Sequence, residues 1–510
     1  MEKLFKISER GSTIRTEIFA GITTFFAMAY IIFVNPNQVA AEGAKGWLVL
    51  YNGADPVAMG QIWNSTYIAS ILVAVIGTLL MAFLANMPFA QACGMGLNSF
   101  FCTMFVSGAF FAGVDVVTGY QSGLVIIFLS GVVFLLLSIT GLREYIAKAM
   151  PECLKKAIPA GIGLFIALIG FKNAGIVEAN QYTFVQFFDF HGRIKSVGTL
   201  VTEDNANVLA LFNNNQDLMG KTITAMDAWK ACVPVIVAIL GILIIAILTK
   251  KNVKGNVIIG ILASTVIYYL FMWELPSFDI SAVGQSFKDF AEISFLGAFN
   301  GDAWDAAFNG PHIGGVFSAV MLIIVFCLVD MFDTVGTIYG TAAQADMLDE
   351  NGDPININKS MMCDSIGTLT GAVLGTSTCT TFVESASGVS AGGRTGFASV
   401  ITAACFAICL FLSPLASVVP SCATAPALIF VGVLMAKNFA KVDMDDMLSA
   451  VPAFLALILM PLTYSISNGI GVGAIAYVLI AIFTGKYTKK DIVVTVIAAL
   501  FVCKFIFVTM

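Results

Sequence analysis

Long stretches of this chain carry no charge. Ile18 to Ala41 is one, and Pro56 to Val114 is another, long enough for two membrane spans broken at Asn86-Met87-Pro88. Val116 to Leu142, Ala157 to Phe171, Ala231 to Thr249 and Gly255 to Trp273 follow. An eighth apolar stretch is centred on Val316 to Tyr339. Ser360 to Gly393 must hold two segments, Thr395 to Ala436 two more divided near Ser413-Pro414, and Met447 to Gly485 a last two divided near Tyr464 to Asn468. A helix crosses a bilayer in about 20 residues, so the count is fourteen. Only 11% of residues are charged, against roughly 25% in soluble proteins. The chain reads as an all-α, multi-spanning membrane protein.

Basic residues test that count. They cluster at Lys3/Lys6/Arg10/Arg15, Arg143/Lys148/Lys155/Lys156, Lys250/Lys251/Lys254, Lys437/Lys441 and Lys486/Lys489/Lys490, with Lys359 and Arg394 single. Each neighbouring pair of these positions is separated by an even number of spans, so all share one side. Cytoplasmic loops are the basic ones, which predicts a cytoplasmic N-terminus in a cell-membrane protein. The acid-rich loops 173–229 and 274–311 then face outside. Asp491 to Met510 is apolar but contains Lys504; as sequence it fits a fifteenth span or a helix lying along the membrane surface. Fourteen spans divide into seven plus seven, and an odd-numbered half inserts upside down. That is the inverted repeat of secondary transporters.

Other functions find little support. The net charge of −6 offers nothing to a nucleic acid. The eleven cysteines sit mostly in apolar runs without a CxxC pair, as buried thiols do. His191 and His312 stand alone, so neither a metal centre nor another cofactor is expected. The polar start is followed by an apolar run too long for a cleavable signal. No nucleophile–base pair or phosphate loop points to an enzyme.

Ionisable groups at membrane depth are costly and mark function. Asp330 and Asp333 lie in Leu328-Val-Asp-Met-Phe-Asp-Thr-Val-Gly336, three residues apart on neighbouring parts of one helix face. Asp364 follows Lys359 closely, which suggests a place near the interface. Glu384 lies in Gly375-Thr-Ser-Thr-Cys-Thr-Thr-Phe-Val-Glu-Ser-Ala-Ser-Gly388, where four threonines favour extended backbone up to about Thr380. Thr381-x-x-Glu384 then reads as a capping box opening a helix. Residues 360–393 are too few for two full spans, so that helix should start mid-membrane, as at transporter binding sites. Phe89 to Phe101 supplies a matching break in the first half, with Gly94-Met-Gly-Leu-Asn98 offering one amide. Carboxylates, an amide and nearby aromatics (Phe26, Tyr30, Phe332, Phe382) suit a flat, neutral heterocycle.

These motifs, with the opening Arg15-Thr-Glu-Ile-x-Ala-Gly-Ile-Thr-Thr-Phe25, resemble the nucleobase–cation symporter family. They are similar to its azaguanine-type purine permease branch, which carries adenine, guanine and hypoxanthine. The resemblance spans about residues 4–485. It implies a uracil-permease-like fold with short strands and half-helices in segments 3 and 10. A core domain would comprise residues 1–145 and 305–415, a gate domain residues 146–275 and 416–490, with 491–510 an extra apolar segment. It also implies proton symport in preference to sodium, an elevator-like core movement and a homodimer in the membrane lipid. By motif, Asp330 and Glu384 become the substrate-contacting acids and Asn98 the supporting amide. Phe382, Ser385 and Phe26 complete the expected substrate contacts. Glu384, Asp330 and Asp333 are the expected proton-coupling acids, with Asp333 as a neighbour of less defined role. Gln91-Ala-Cys93 departs from the family's apolar-proline approach to the glycine motif. The alternatives are a uracil/xanthine-type permease and a sulfate-type anion transporter of the same fold. A channel or non-transporting receptor is a further rival, disfavoured by the paired broken helices.

Overall fold

The computed structural model describes residues 2–45, 47–141, 150–180, 184–202, 208, 211–212, 218–253, 255–276, 281–344, 347, 354–412 and 418–507. Arg143, Lys148, Lys254 and the Ser413-Pro414 divide lie outside them, as does the side chain of Phe332. The chain is helical and polytopic. Segment 1 is α1 (Ile14–Met28) and α2 (Ile31–Val39), broken at Ala29-Tyr30. Segment 2 is α3 (Pro56–Leu80), which runs into a wider turn at Met81–Ala85. Segment 3 is β1 (Gln91–Cys93) followed by the half-helix α4 (Met95–Phe101). The first half closes with α5 (Val116–Ile139), α6 (Glu152–Asn173), α7 (Ala225–Lys250) and α8 (Asn256–Met272). Between α6 and α7 lies a hairpin of β2 (Val177–Asn180) and β3 (Phe184–Phe187).

The second half repeats the plan. α9 (Val316–Gln344) and α10 (Ile357–Leu374) precede β4 (Cys379–Thr381) and the half-helix α11 (Ser385–Ser390). Then come α12 (Gly396–Ile408), α13 (Ser421–Ala436), α14 (Met447–Leu462) and α15 (Ile466–Phe483). Local chemistry sets many of these starts. Thr13, Asp55, Asp115, Thr395 and Asp446 each cap a helix by accepting a backbone N–H, and α7 opens with a complete Thr224/Asp227 capping box. Gly375 ends α10 at φ +99°, where a Cβ would sit 2.2 Å from that of Ser294; no other residue fits there.

The expected strands and half-helices are present. β1 and β4 pair antiparallel, with Gln91 opposite Thr381, Ala92 opposite Thr380 and Cys93 opposite Cys379. The two inverted halves therefore share one sheet. Around it α5 packs on α10, α1 on α12, and α3 on both α10 and α12. A second group joins α6 to α13 and α14, α14 to α15, and α7 to α8 and α13. All eleven cysteines are free, nine of them buried.

Residues 492–507 form α16, antiparallel against α15 along its length. Asp491 accepts from the Tyr477 hydroxyl at 3.1 Å at one end, and Lys504 donates to Ser467 at 2.5 Å and Asn468 at 3.3 Å at the other. The segment is thus a helix packed on α15. Its lysine is accommodated because two polar side chains at the start of α15 receive it.

Candidate functional site

Three bonds continue the strand pair towards the half-helices, and a fourth ties β4 to α10. Gly94 N–H donates to Thr378 O (2.9 Å), Phe382 N–H to Ala90 O (3.0 Å), Ala90 N–H to Ser385 Oγ (3.0 Å) and Cys379 N–H to Thr368 Oγ1 (3.1 Å). α11 presses against α1 so closely that a Cβ on Gly388 would lie 2.0 Å from Thr24 Oγ1. Non-helical backbone at this depth survives because it is enclosed by protein.

Glu384 stands at the position before α11, half-buried, and makes no side-chain cap. The expected capping box is absent: Thr381 lies in β4, and its hydroxyl accepts from Gln91 Nε2 at 3.4 Å. Glu384 is bound instead by Tyr30, whose hydroxyl donates to Oε1 at 2.5 Å from the break between α1 and α2. Asp333 is also half-buried and lies within electrostatic reach of Glu384.

Asp330 occupies a different place. It is 1% exposed and accepts from Thr368 Oγ1 at 2.8 Å, while the same hydroxyl oxygen accepts from the Cys379 N–H at 3.1 Å. Asp364 is fully buried; it accepts from Gln91 Nε2 at 3.1 Å and from the Thr334 hydroxyl, which also bonds Thr380 Oγ1 at 3.0 Å. Both aspartates thus anchor β4 between α9 and α10. Gln91 is part of that anchor, which gives the departure from the apolar-proline approach a structural use.

Asn98 is fully buried, its amide donating to Asn35 Oδ1 and accepting from the Ser377 hydroxyl. Asn35 donates in turn to Thr376 Oγ1 at 3.1 Å. Phe382 and Ser385 are buried beside the strand pair, whereas Phe26 is 47% exposed on α1. Its Cβ would lie 3.3 Å from one built on Gly255, at the start of α8. Sequence reasoning missed the Tyr30 hydroxyl and undervalued Asp364. A tyrosine one turn beyond Phe26 on an apolar helix was the available signal for the first.

Residues 15–208 and 205–472 match the model of the permease family. The chain belongs to that family. Among its relatives is the guanine/hypoxanthine permease PbuG of Bacillus subtilis, 36% identical over 510 residues that cover 99% of this chain and 100% of that protein. The adenine permease AdeQ of Escherichia coli is 34% identical over 519 residues, covering 100% of this chain and 96% of its own. The alignment therefore includes the residues after Tyr487, which the motifs alone left outside. These findings agree with the motif resemblance to the purine branch of nucleobase–cation symporters. Among solved structures, the transmembrane domain of the cyanobacterial bicarbonate transporter BicA superposes with a TM-score of 0.54 at 14% identity, covering 91% of this chain and 97% of that one. Murine Slc26a9, an anion transporter, gives 0.51 at 14% identity, covering 92% and 69%. At such identity the likeness speaks for the inverted-repeat fold alone. This permease is a membrane transport protein and not an enzyme.

Proposed function

We propose that this permease imports a purine nucleobase (hypoxanthine, guanine or adenine) across the cell membrane by proton symport. The observation that carries the reading is Glu384 at the start of the half-helix α11, held by the Tyr30 hydroxyl, with Asp333 of α9 within electrostatic reach. Carboxylates accept hydrogen bonds and cannot donate them when ionised. Ring N–H and exocyclic amine groups on a purine edge are the complement. A sulfate-like anion would meet two negative charges there, so the shared fold does not bring the shared substrate. The names of the relatives, guanine/hypoxanthine and adenine permeases, support purines over uracil and xanthine.

In this reading the division of labour between the aspartates differs from the motif expectation. Asp333 and Glu384 contact the substrate, Phe382 and Phe26 border it, and Ser385 and Asn98 hold the half-helices in place. Asp330 acts through Thr368 by fixing β4, as a positioning residue. Two like charges held close in a poorly solvated space repel, and one proton relieves that repulsion. A proton arriving with the neutral base would then leave with it. The N-terminus and the basic clusters face the cytoplasm, and residues 1–145 with 305–415 move as a core against a gate of 146–275 and 416–490, in a dimer embedded in lipid. Phe26 at the α1–α8 approach sits on the seam between them.

Glu384→Gln tests the reading. Gln keeps the size and one acceptor oxygen for Tyr30 but presents an amide N–H₂ to the base. Purine binding to the purified protein should fall by more than about 30-fold, with membrane insertion unchanged. Binding within twofold of the parent protein defeats the assignment.

A further inference from the structure

A cavity lies between the two helix groups, on the side away from the basic clusters. It has a volume of about 270 Å³ and is lined by Gln38, Glu42, Ser99, Lys172, Asn173 and Tyr464 among others. Gln38, Glu42 and Ser99 come from α2, its exit and α4; Lys172 and Asn173 end α6, and Tyr464 turns from α14 into α15. Lys172 Nζ sits 5.3 Å from the centre of the Tyr464 ring. Gln38 is 5% exposed, yet neither its amide oxygen nor its amide nitrogen has a hydrogen-bond partner. Ser99, at 6%, has an unpartnered Oγ on the same wall. Leaving one such group unsatisfied costs about 1–3 kcal/mol. Three such groups in one cavity wall, closed to solvent as the wall packs here, point to an occupant that reaches them when the helix groups part.

The position says which occupant. At about 1.5 Å per helical residue, Ser99 is roughly 7 Å along α4 from Gly94. Gln38 lies eight residues beyond Tyr30 along segment 1. Both walls therefore lead outward from the joint of the half-helices, with the Asn35–Asn98–Ser377 network between. An amide offers a donor and an acceptor side by side, matched to the edge of a nucleobase; a hydroxyl adds one adaptable bond. The cavity also has walls from both helix groups, so relative movement of the groups would open or close it.

We propose that this cavity is an outer station on the transport path, binding the same neutral nucleobase edge-on through Gln38 and Ser99 before it reaches Glu384. The proposal rests on the purine-import reading. Its test is photolabelling of the full-length protein in liposomes with 8-azidoadenine, followed by peptide mapping, in the Glu384→Gln background where the inner site is impaired. Label should appear on peptides containing Ser99 to Phe111 or Tyr464 and be displaced by excess hypoxanthine. Adding Gln38→Leu should lower it about five- to tenfold, and Ser99→Ala about two- to threefold; the milder variant covers the case in which Leu disturbs insertion. Label confined to peptides around Glu384, or no displaceable label in the cavity (water alone filling it), overturns the station. Labelled-purine uptake by the parent protein separates the two failures. Uptake without cavity label removes only the station; no uptake of any purine removes the import reading and the station with it.

Discussion

Replacing Asp333 and Asp330 by asparagine, one at a time, separates a substrate contact from a strand anchor. Three residues apart is about 300° of helical rotation, so the carboxylates point roughly 60° apart. Asp333 is half-buried near Glu384, while Asp330 is 1% exposed and bonded to Thr368. Asp333→Asn keeps the shape but loses charge assistance and turns an N–H₂ donor toward the donors of the base. A charge-assisted hydrogen bond contributes about 1.5–3 kcal/mol, and the donor–donor clash raises the loss to about 2–4 kcal/mol. That is roughly 30- to 1000-fold in affinity. In Asp330→Asn the Thr368 hydroxyl still finds an acceptor oxygen, so affinity should change by less than about fivefold, with stability lowered by about 1–2 kcal/mol. Competition against labelled hypoxanthine on purified protein gives the affinities, and thermal unfolding of the same samples gives the stabilities. Equal affinity losses, or a greater loss at Asp330, would refute the reversal proposed from the geometry.

Three further outcomes follow. Uptake should rise as external pH falls, collapse with a protonophore and ignore replacement of sodium by choline; uptake that tracks sodium defeats proton coupling. Gly375→Ala should destabilise the protein by about 3 kcal/mol or more, because left-handed strain adds to overpacking against Ser294; an unchanged unfolding temperature would show that the α10 end relaxes freely. Burial pushes the Glu42 carboxyl up to about 7, against the opposing pull of a Ser421 hydrogen bond and the Lys172 charge. In the proposed core-and-gate movement, parting the helix groups would return Glu42 to solvent, so the packed arrangement should gain as pH falls from about 7 to 5 and lose as pH rises, by on the order of tenfold. Spin-label distances across the seam report this, and Glu42→Gln should flatten the response.

Architecture was legible because charge-free runs and membrane thickness leave few choices. The half-helix at Glu384 was legible for the same reason, since residues 360–393 cannot hold two spans. What misled was local pattern. Thr381 and Glu384 have the spacing of a capping box, but β1, almost three hundred residues earlier, draws Thr381 into a strand. Asp364 stands near Lys359 in sequence, yet its partners are Gln91 and Thr334, from distant segments. Long-range pairing decided both, and no local window contains it. Gln38 and Glu42 drew no attention because their significance lies in what faces them from α6 and the α14–α15 turn.

The sheet joining β1 to β4 also sets an order of assembly. At about 5–20 residues per second, strand Gln91–Cys93 leaves the ribosome roughly 15–60 s before Cys379–Thr381 exists to pair with it. During that wait its peptide groups lack their final partner, and unpaired backbone at membrane depth is costly unless other groups satisfy it. The same fact bears on how such a chain could have arisen from a single half. One seven-span unit has the strand but not its complement, so an ancestor of that size could have closed the joint only by meeting a second copy inserted upside down. Fusion of the two would then have turned an encounter between molecules into a fold within one.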